Sequence, residues 1–238
     1  MENFPAWADH ILAFLVGIVI PLQTSYRNAK NPLPDQFDSR QKKSFYLSGS
    51  FSLFLIAFII MLVWLLFKRP LEEIGFRKPG DNKSYWWLVL IFIALYIIDT
   101  ALSVGGQSNR EKTIQRWKTR TAFMPTLPGE FPLYLLLCFS AGVFEEIIFR
   151  GFLVTYCYYL FSGADQQEFW AVILPALIFS IAHYYQGSKA VLKILVFSCL
   201  FGFIFTRSGS LLIVMLLHFL VDAAGGLLTL RLMNKETK

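Results

Sequence analysis

Seven apolar runs, at residues 10–23, 47–67, 85–104, 131–161, 169–185, 190–206 and 210–230, leave this chain little choice of fold. A membrane helix needs roughly 20 predominantly apolar residues, and the second, third and seventh runs meet that length cleanly. The first is short and ends near Pro21, so it reads as re-entrant or shallow. The fourth is about 31 residues long, or about 46 Å at 1.5 Å per residue. It must tilt strongly, project from the membrane, or break near Arg150-Gly151. Composition agrees with this reading: 55% of residues are hydrophobic and only 16% charged, where soluble domains carry about 25% charged residues. The expectation is an all-α, polytopic transmembrane helical bundle of about seven membrane segments. It forms a single integral membrane domain over 1–238, with a motif-bearing core at 131–230.

The net charge of +6 does not point to nucleic acid. The basic residues gather in connectors that flank apolar runs, the pattern that follows anionic headgroups and sets orientation. With seven crossings, connectors 24–46, 106–130 and 186–193 and the C-terminal tail share one side and carry 15 Lys and Arg, against six on the other. The C-terminus is expected in the cytoplasm, with the protein in a membrane that the small size suggests is a bacterial inner membrane. Cys138, Cys157 and Cys199 all lie in apolar segments, an odd number without paired spacing, and read as small buried hydrophobes. The N-terminus has no basic region ahead of an apolar stretch and does not read as a cleaved signal peptide.

The chemistry is concentrated in Phe144-Glu145-Glu146-Ile147-Ile148-Phe149-Arg150, two adjacent carboxylates and a guanidinium inside an apolar run. A charged side chain at bilayer depth costs roughly 2.5–3.5 kcal/mol on insertion scales, so three within six residues must pair and serve a purpose. On an α-helix Glu146 and Arg150 share a face and can neutralise each other. Glu145 is turned by about 100° from Glu146, has no local cation, and projects elsewhere, toward the bundle interior. A carboxyl group in apolar surroundings suits proton transfer near neutral pH. A buried salt bridge alone explains Glu146 and Arg150 but leaves Glu145 without a role.

His218 and Asp222 repeat the i, i+4 spacing in the seventh run. A carboxylate beside an imidazole fixes its tautomer and raises its basicity; the plainer reading is a helix-packing hydrogen bond. His183 ends the fifth run beside Tyr184 and Tyr185 and by itself reads as an interfacial histidine. Asp99 reads as a packing contact or a residue reaching the site, Lys193 as a snorkelling cation, and His10 as facing headgroups. Counting along straight helices puts Glu145 and His218 roughly 21 and 18 Å from the cytoplasmic face and His183 roughly 9 Å. That spread is wider than a single site permits, but the long fourth segment can slide or tilt, so convergence is permitted without being established.

Glu145-Glu146-x-x-x-Arg150, Phe179-x-x-x-His183 and His218-x-x-x-Asp222, in that order, resemble the motifs of the CPBP family. This family comprises type II CAAX prenyl endopeptidases and bacterial relatives, including bacteriocin-processing and bacteriocin-immunity proteins. Leu71-Glu72-Glu73-Ile74-Gly75-Phe76-Arg77 is similar to a connector of bacterial members. The resemblance implies a helical intramembrane endopeptidase in which Glu145 activates a water. His183 and His218 position that water, bind a metal or stabilise the oxyanion, and Glu146 and Arg150 hold the site in shape. The eukaryotic enzymes carry Asn where this chain has Asp222. An ionised Asp cannot donate to an oxyanion, which moves the expected role of Asp222 toward orienting His218.

No His-Glu-x-x-His is present, but two histidines and a carboxylate can hold zinc with one position open for water. Three carboxylates against one guanidinium leave negative charge that a divalent cation or protons would relieve. One divalent metal, zinc, on His183, His218 and Glu145 is the cofactor expected. The expected partners are a peptide or protein substrate and the lipid membrane. Two other classes fit the same residues: a non-catalytic membrane partner or immunity-type protein, and a proton-coupled transporter. The second lacks the internal repeats that transporters commonly show.

Overall fold

The structure is a computed structural model, and it describes residues 4–30, 34, 36–81 and 83–236. The last two residues of the C-terminal tail, part of the orientation count, lie outside the described residues. The described chain is helical, without strands. Eight helices organise it: α1 (Trp7–Asn28), α2 (Ser39–Leu66), α3 (Tyr85–Val104), α4 (Gln107–Arg120), α5 (Pro128–Leu160), α6 (Gln167–Ala182), α7 (Ser188–Ser208) and α8 (Leu211–Glu236). Six of them, all but α4 and α6, are long and apolar enough to cross a membrane. The polar α4 lies within the expected 106–130 connector, and α6 is the fifth apolar run as a shorter helix.

The first run is more than a shallow stub. It extends at both ends into α1, which continues through Pro21. Proline lacks the helical N–H and its ring crowds the carbonyl four residues back. Just before Pro21 the residues Leu15–Val19 take π-helical, i→i+5 bonding, a wider turn that accommodates the ring. The fourth run likewise does not break at Arg150-Gly151. α5 stays continuous and is wound in π register over Ala141–Glu145 and Ile147–Val154. Every residue from Ile147 to Val154 is buried, because this stretch is the axis of the bundle, packed among α2, α6, α7 and α8.

Ion pairs fasten the helix ends and report the alternation of the chain. Asp9, at the start of α1, takes a bidentate pair from Arg69, just after α2, at 2.8 and 2.7 Å. Both are buried, and the rings of Phe4, Trp64 and Phe67 surround the guanidinium. Arg207 at the end of α7 pairs with Glu168 at the start of α6. At the other end of the bundle Lys42 of α2 pairs with Glu130 of α5 at 3.2 Å, and Lys193 of α7 pairs with Asp99 of α3. Lys193 and Asp99 therefore satisfy each other at the bundle surface, and Asp99 is no part of the site. His10 bonds the Tyr156 hydroxyl at 2.7 Å instead of only facing outward.

Connector 71–77 closes the same end as Asp9. Leu71–Ile74 forms a 3₁₀ turn, Ile74 is fully buried, and Gly75 adopts φ +98. A side chain there would be strained and would meet Phe205 at 2.5 Å. Gly75 O accepts from Leu211 N at 2.9 Å, and Arg77 Nε donates to Gly209 O at 2.8 Å, so the connector locks the turn between α7 and α8. The outward faces of α2 and α3 expose Phe51, Phe58, Leu66, Trp87, Ile97 and Leu102. Apolar surface on that scale belongs against lipid.

Candidate active site

The wide π turns of α5 decide where its two carboxylates point. With i→i+5 bonding, consecutive side chains diverge by less than the ~100° of an α-helix. Glu145 and Glu146 therefore both face α8, and they address the two nitrogens of one imidazole. Glu146 Oε1 accepts from His218 Nδ1 at 2.7 Å, and Glu145 Oε2 lies 3.8 Å from His218 Nε2. Gly142 lets the helices approach this closely: a Cβ there would lie 2.9 Å from Phe219 N and 3.1 Å from Met215 O of α8.

Glu146 is fully buried and its Oε1 also accepts from Arg150 Nη1 at 2.8 Å. Arg150 Nη2 donates to Ser198 Oγ at 2.8 Å and to the Ser198 carbonyl at 3.4 Å. The guanidinium is held between the rings of Phe179 (4.9 Å) and Phe201 (5.3 Å). The chain Ser198–Arg150–Glu146–His218 thus runs from α7 through α5 to α8 with its charges paired, the condition under which buried ions are tolerated. One oxygen, Glu146 Oε2, has no protein partner.

Asp222 Oδ2 stands 3.6 Å from His218 Nε2. The residue that holds the ring is therefore Glu146, not Asp222 as the i, i+4 spacing suggests. The 3.6 and 3.8 Å separations exceed a direct hydrogen bond and suit a bridge through water. Asp222 is 37% exposed while Glu146 is 0% exposed, so the cluster is sealed on the Arg150 side and opens at Asp222.

His183 joins the same cluster through Phe179. Its Nδ1 bonds the Phe179 carbonyl at 2.8 Å; a carbonyl only accepts, so Nδ1 carries the proton and Nε2 presents a lone pair. The Phe179 ring lies 4.5 Å from the His183 ring and 6.3 Å from the His218 ring, centroid to centroid. The difference in depth counted along straight helices does not keep the two histidines apart.

All six residues expected from the sequence, Glu145, Glu146, Arg150, His183, His218 and Asp222, thus lie about one centre. Among the described residues no group of three or more His, Cys, Asp or Glu side chains is gathered as a metal site. Nδ1 of His218 is taken by Glu146 and Nδ1 of His183 by a carbonyl, which leaves Nε2 of each ring as the nitrogen that a metal would meet. Ser198 and Phe201 on α7 and Tyr185 after α6 escape sequence reasoning: each sits in or beside an apolar run with no spacing that marks it.

Residues 127–224 match the family described as type II CAAX prenyl endopeptidase, Rce1-like. A search of curated proteins returns no match, and a search of solved structures returns none. The matched stretch contains Glu145, Glu146, Arg150, His183, His218 and Asp222, so the motif-bearing part of this chain is similar to the type II CAAX prenyl endopeptidase family.

Proposed function

We propose that the protein is an intramembrane endopeptidase that uses Glu145 to activate water against a peptide bond near the cytoplasmic leaflet of a bacterial inner membrane. The reading takes 1–238 as one integral membrane domain with its C-terminus in the cytoplasm. The observation that supports it best is the pair of adjacent carboxylates on the two nitrogens of His218, Glu146 fully buried and Glu145 partly exposed. A structural salt bridge needs only Glu146 and Arg150; it gives Glu145 nothing to do.

In this mechanism a water sits between Glu145 Oε2, His218 Nε2 and the lone pair of His183 Nε2. Glu145 takes one proton as the water oxygen bonds to the scissile carbonyl carbon. The same carboxyl then delivers that proton to the leaving amide nitrogen as the C–N bond breaks. Glu146 and Arg150 stay charged throughout and hold the His218 ring in one orientation. Asp222, at the mouth, orients the water from the open side. No step passes through a metal.

The test compares peptide termini in cells expressing wild-type protein with cells expressing Glu145→Gln at equal abundance. Termini seen only with wild type establish proteolysis and supply the cleavage sequence. Identical profiles from a stably folded pair of proteins would replace the peptidase with a non-catalytic membrane partner.

A further inference from the structure

Attack on a peptide carbonyl leaves a negative oxygen that needs a hydrogen-bond donor, and the site is short of donors. Glu145 and Asp222 only accept when ionised. The Nδ1–H of His183 is committed to the Phe179 carbonyl and that of His218 to Glu146. The other nitrogen of His218 faces the carboxylates of Glu145 and Asp222, whether or not it carries a proton. Arg150 is sealed behind Phe179 and Phe201, with Nη1 on Glu146 and Nη2 on Ser198.

Tyr185 is different. It lies in the short 3₁₀ turn Tyr184–Gln186 that follows α6, with its ring 6.0 Å from His183 and 6.3 Å from Phe123. It packs with Phe219 of α8 against the cluster of Tyr46, Phe123, Tyr134 and Cys138, on the helix turn between His218 and Asp222. Gln186 Nε2 donates to the Tyr185 oxygen at 3.1 Å. The phenol oxygen thus accepts, and its own hydrogen is free to point at a ligand. The carboxylates of Glu145 and Asp222 lie near enough to the phenol to act on it electrostatically.

We propose that the Tyr185 hydroxyl is a further catalytic residue, the donor that stabilises the oxyanion of the tetrahedral intermediate. The inference rests on the peptidase reading above. As the water oxygen bonds to carbon, the carbonyl electron pair moves onto its oxygen and Tyr185 O–H bonds that oxygen without giving up its proton. On collapse the pair returns, the amine leaves with the proton carried by Glu145, and Tyr185 is unchanged. The residue also supplies what Asp222 cannot, since an ionised carboxylate has no proton to donate.

The test adds Tyr185→Phe to the comparison of wild type and Glu145→Gln, followed by kinetics on a synthetic peptide spanning the cleavage site so identified. Removal of one oxyanion donor is expected to lower kcat about 10²–10³-fold, with KM within about twofold because the contact forms only in the transition state. Cleavage by Tyr185→Phe at the wild-type kcat overturns the inference and leaves the peptidase reading standing. A rise in KM alone also overturns it, since that marks a substrate-packing role. Absence of any wild-type cleavage overturns both. Where Tyr185→Phe does not fold, 3-fluorotyrosine at this position keeps the shape with a more acidic phenol. A more acidic phenol is a stronger hydrogen-bond donor, so kcat is then expected to change with KM unaltered, and an unchanged kcat overturns the inference.

Discussion

Glu146 reaches from the central helix to take the Nδ1–H of His218 at 2.7 Å, while the same oxygen holds Arg150 at 2.8 Å. One buried carboxylate therefore couples the integrity of the bundle to the orientation of the imidazole. Its removal is expected to be felt in stability and in activity together.

Glu146→Gln tests that coupling. The amide keeps the volume but leaves Arg150 as a buried charge without its counter-ion, a change worth about 3–5 kcal/mol. The thermal midpoint in detergent is expected to fall, and wild-type-specific termini to be lost. A variant of unchanged midpoint would show that Arg150 is balanced elsewhere.

Ser198→Ala removes the hydroxyl on Arg150 Nη2 and leaves only the carbonyl at 3.4 Å. The expected cost is about 1–3 kcal/mol of stability, smaller than that of Glu146→Gln. Ser198→Thr keeps the hydroxyl and is expected to recover part of the loss, as read by denaturation in the same detergent.

Gly142→Ala places a methyl group 2.9 Å from Phe219 N, so α8 must move away from α5. His218 and Glu145 then separate, and turnover is expected to fall at least tenfold while the protein still inserts. Peptide cleavage at matched abundance checks this; full activity would show that the close approach is not needed.

Asp9→Ala removes the partner of Arg69 far along the sequence from the motifs. Loss of the bidentate Asp9 pair inside this buried, ring-lined site is expected to cost about 3–5 kcal/mol, with kcat unchanged in the fraction that folds. The same cleavage assay, normalised to folded protein, separates the two effects.

Dialysis against a strong chelator is expected to leave cleavage intact, because the site residues are not gathered as a metal-holding group. Loss of activity, with about one zinc per chain in the undialysed protein, would support the ligand set His183, His218 and Glu145.

The hydropathy runs and their basic connectors determine by themselves that this is a helical membrane protein, because lipid accepts few alternatives to long apolar helices. The pairing of Glu146 with Arg150 is equally legible, since four residues along a helix bring side chains together and the π winding of α5 leaves that contact in place. What the partners of Glu145 and His218 are is decided only by the tertiary structure. The rewinding of α5 turns two adjacent carboxylates toward one ring, and the glycine contact at Gly142 brings α8 within reach. Asp222, the nearest carboxylate to His218 in sequence, therefore yields the ring to Glu146, 72 residues away. Ser198, Phe201 and Tyr185 contribute through packing between helices distant in sequence, a relation that no spacing along one helix records.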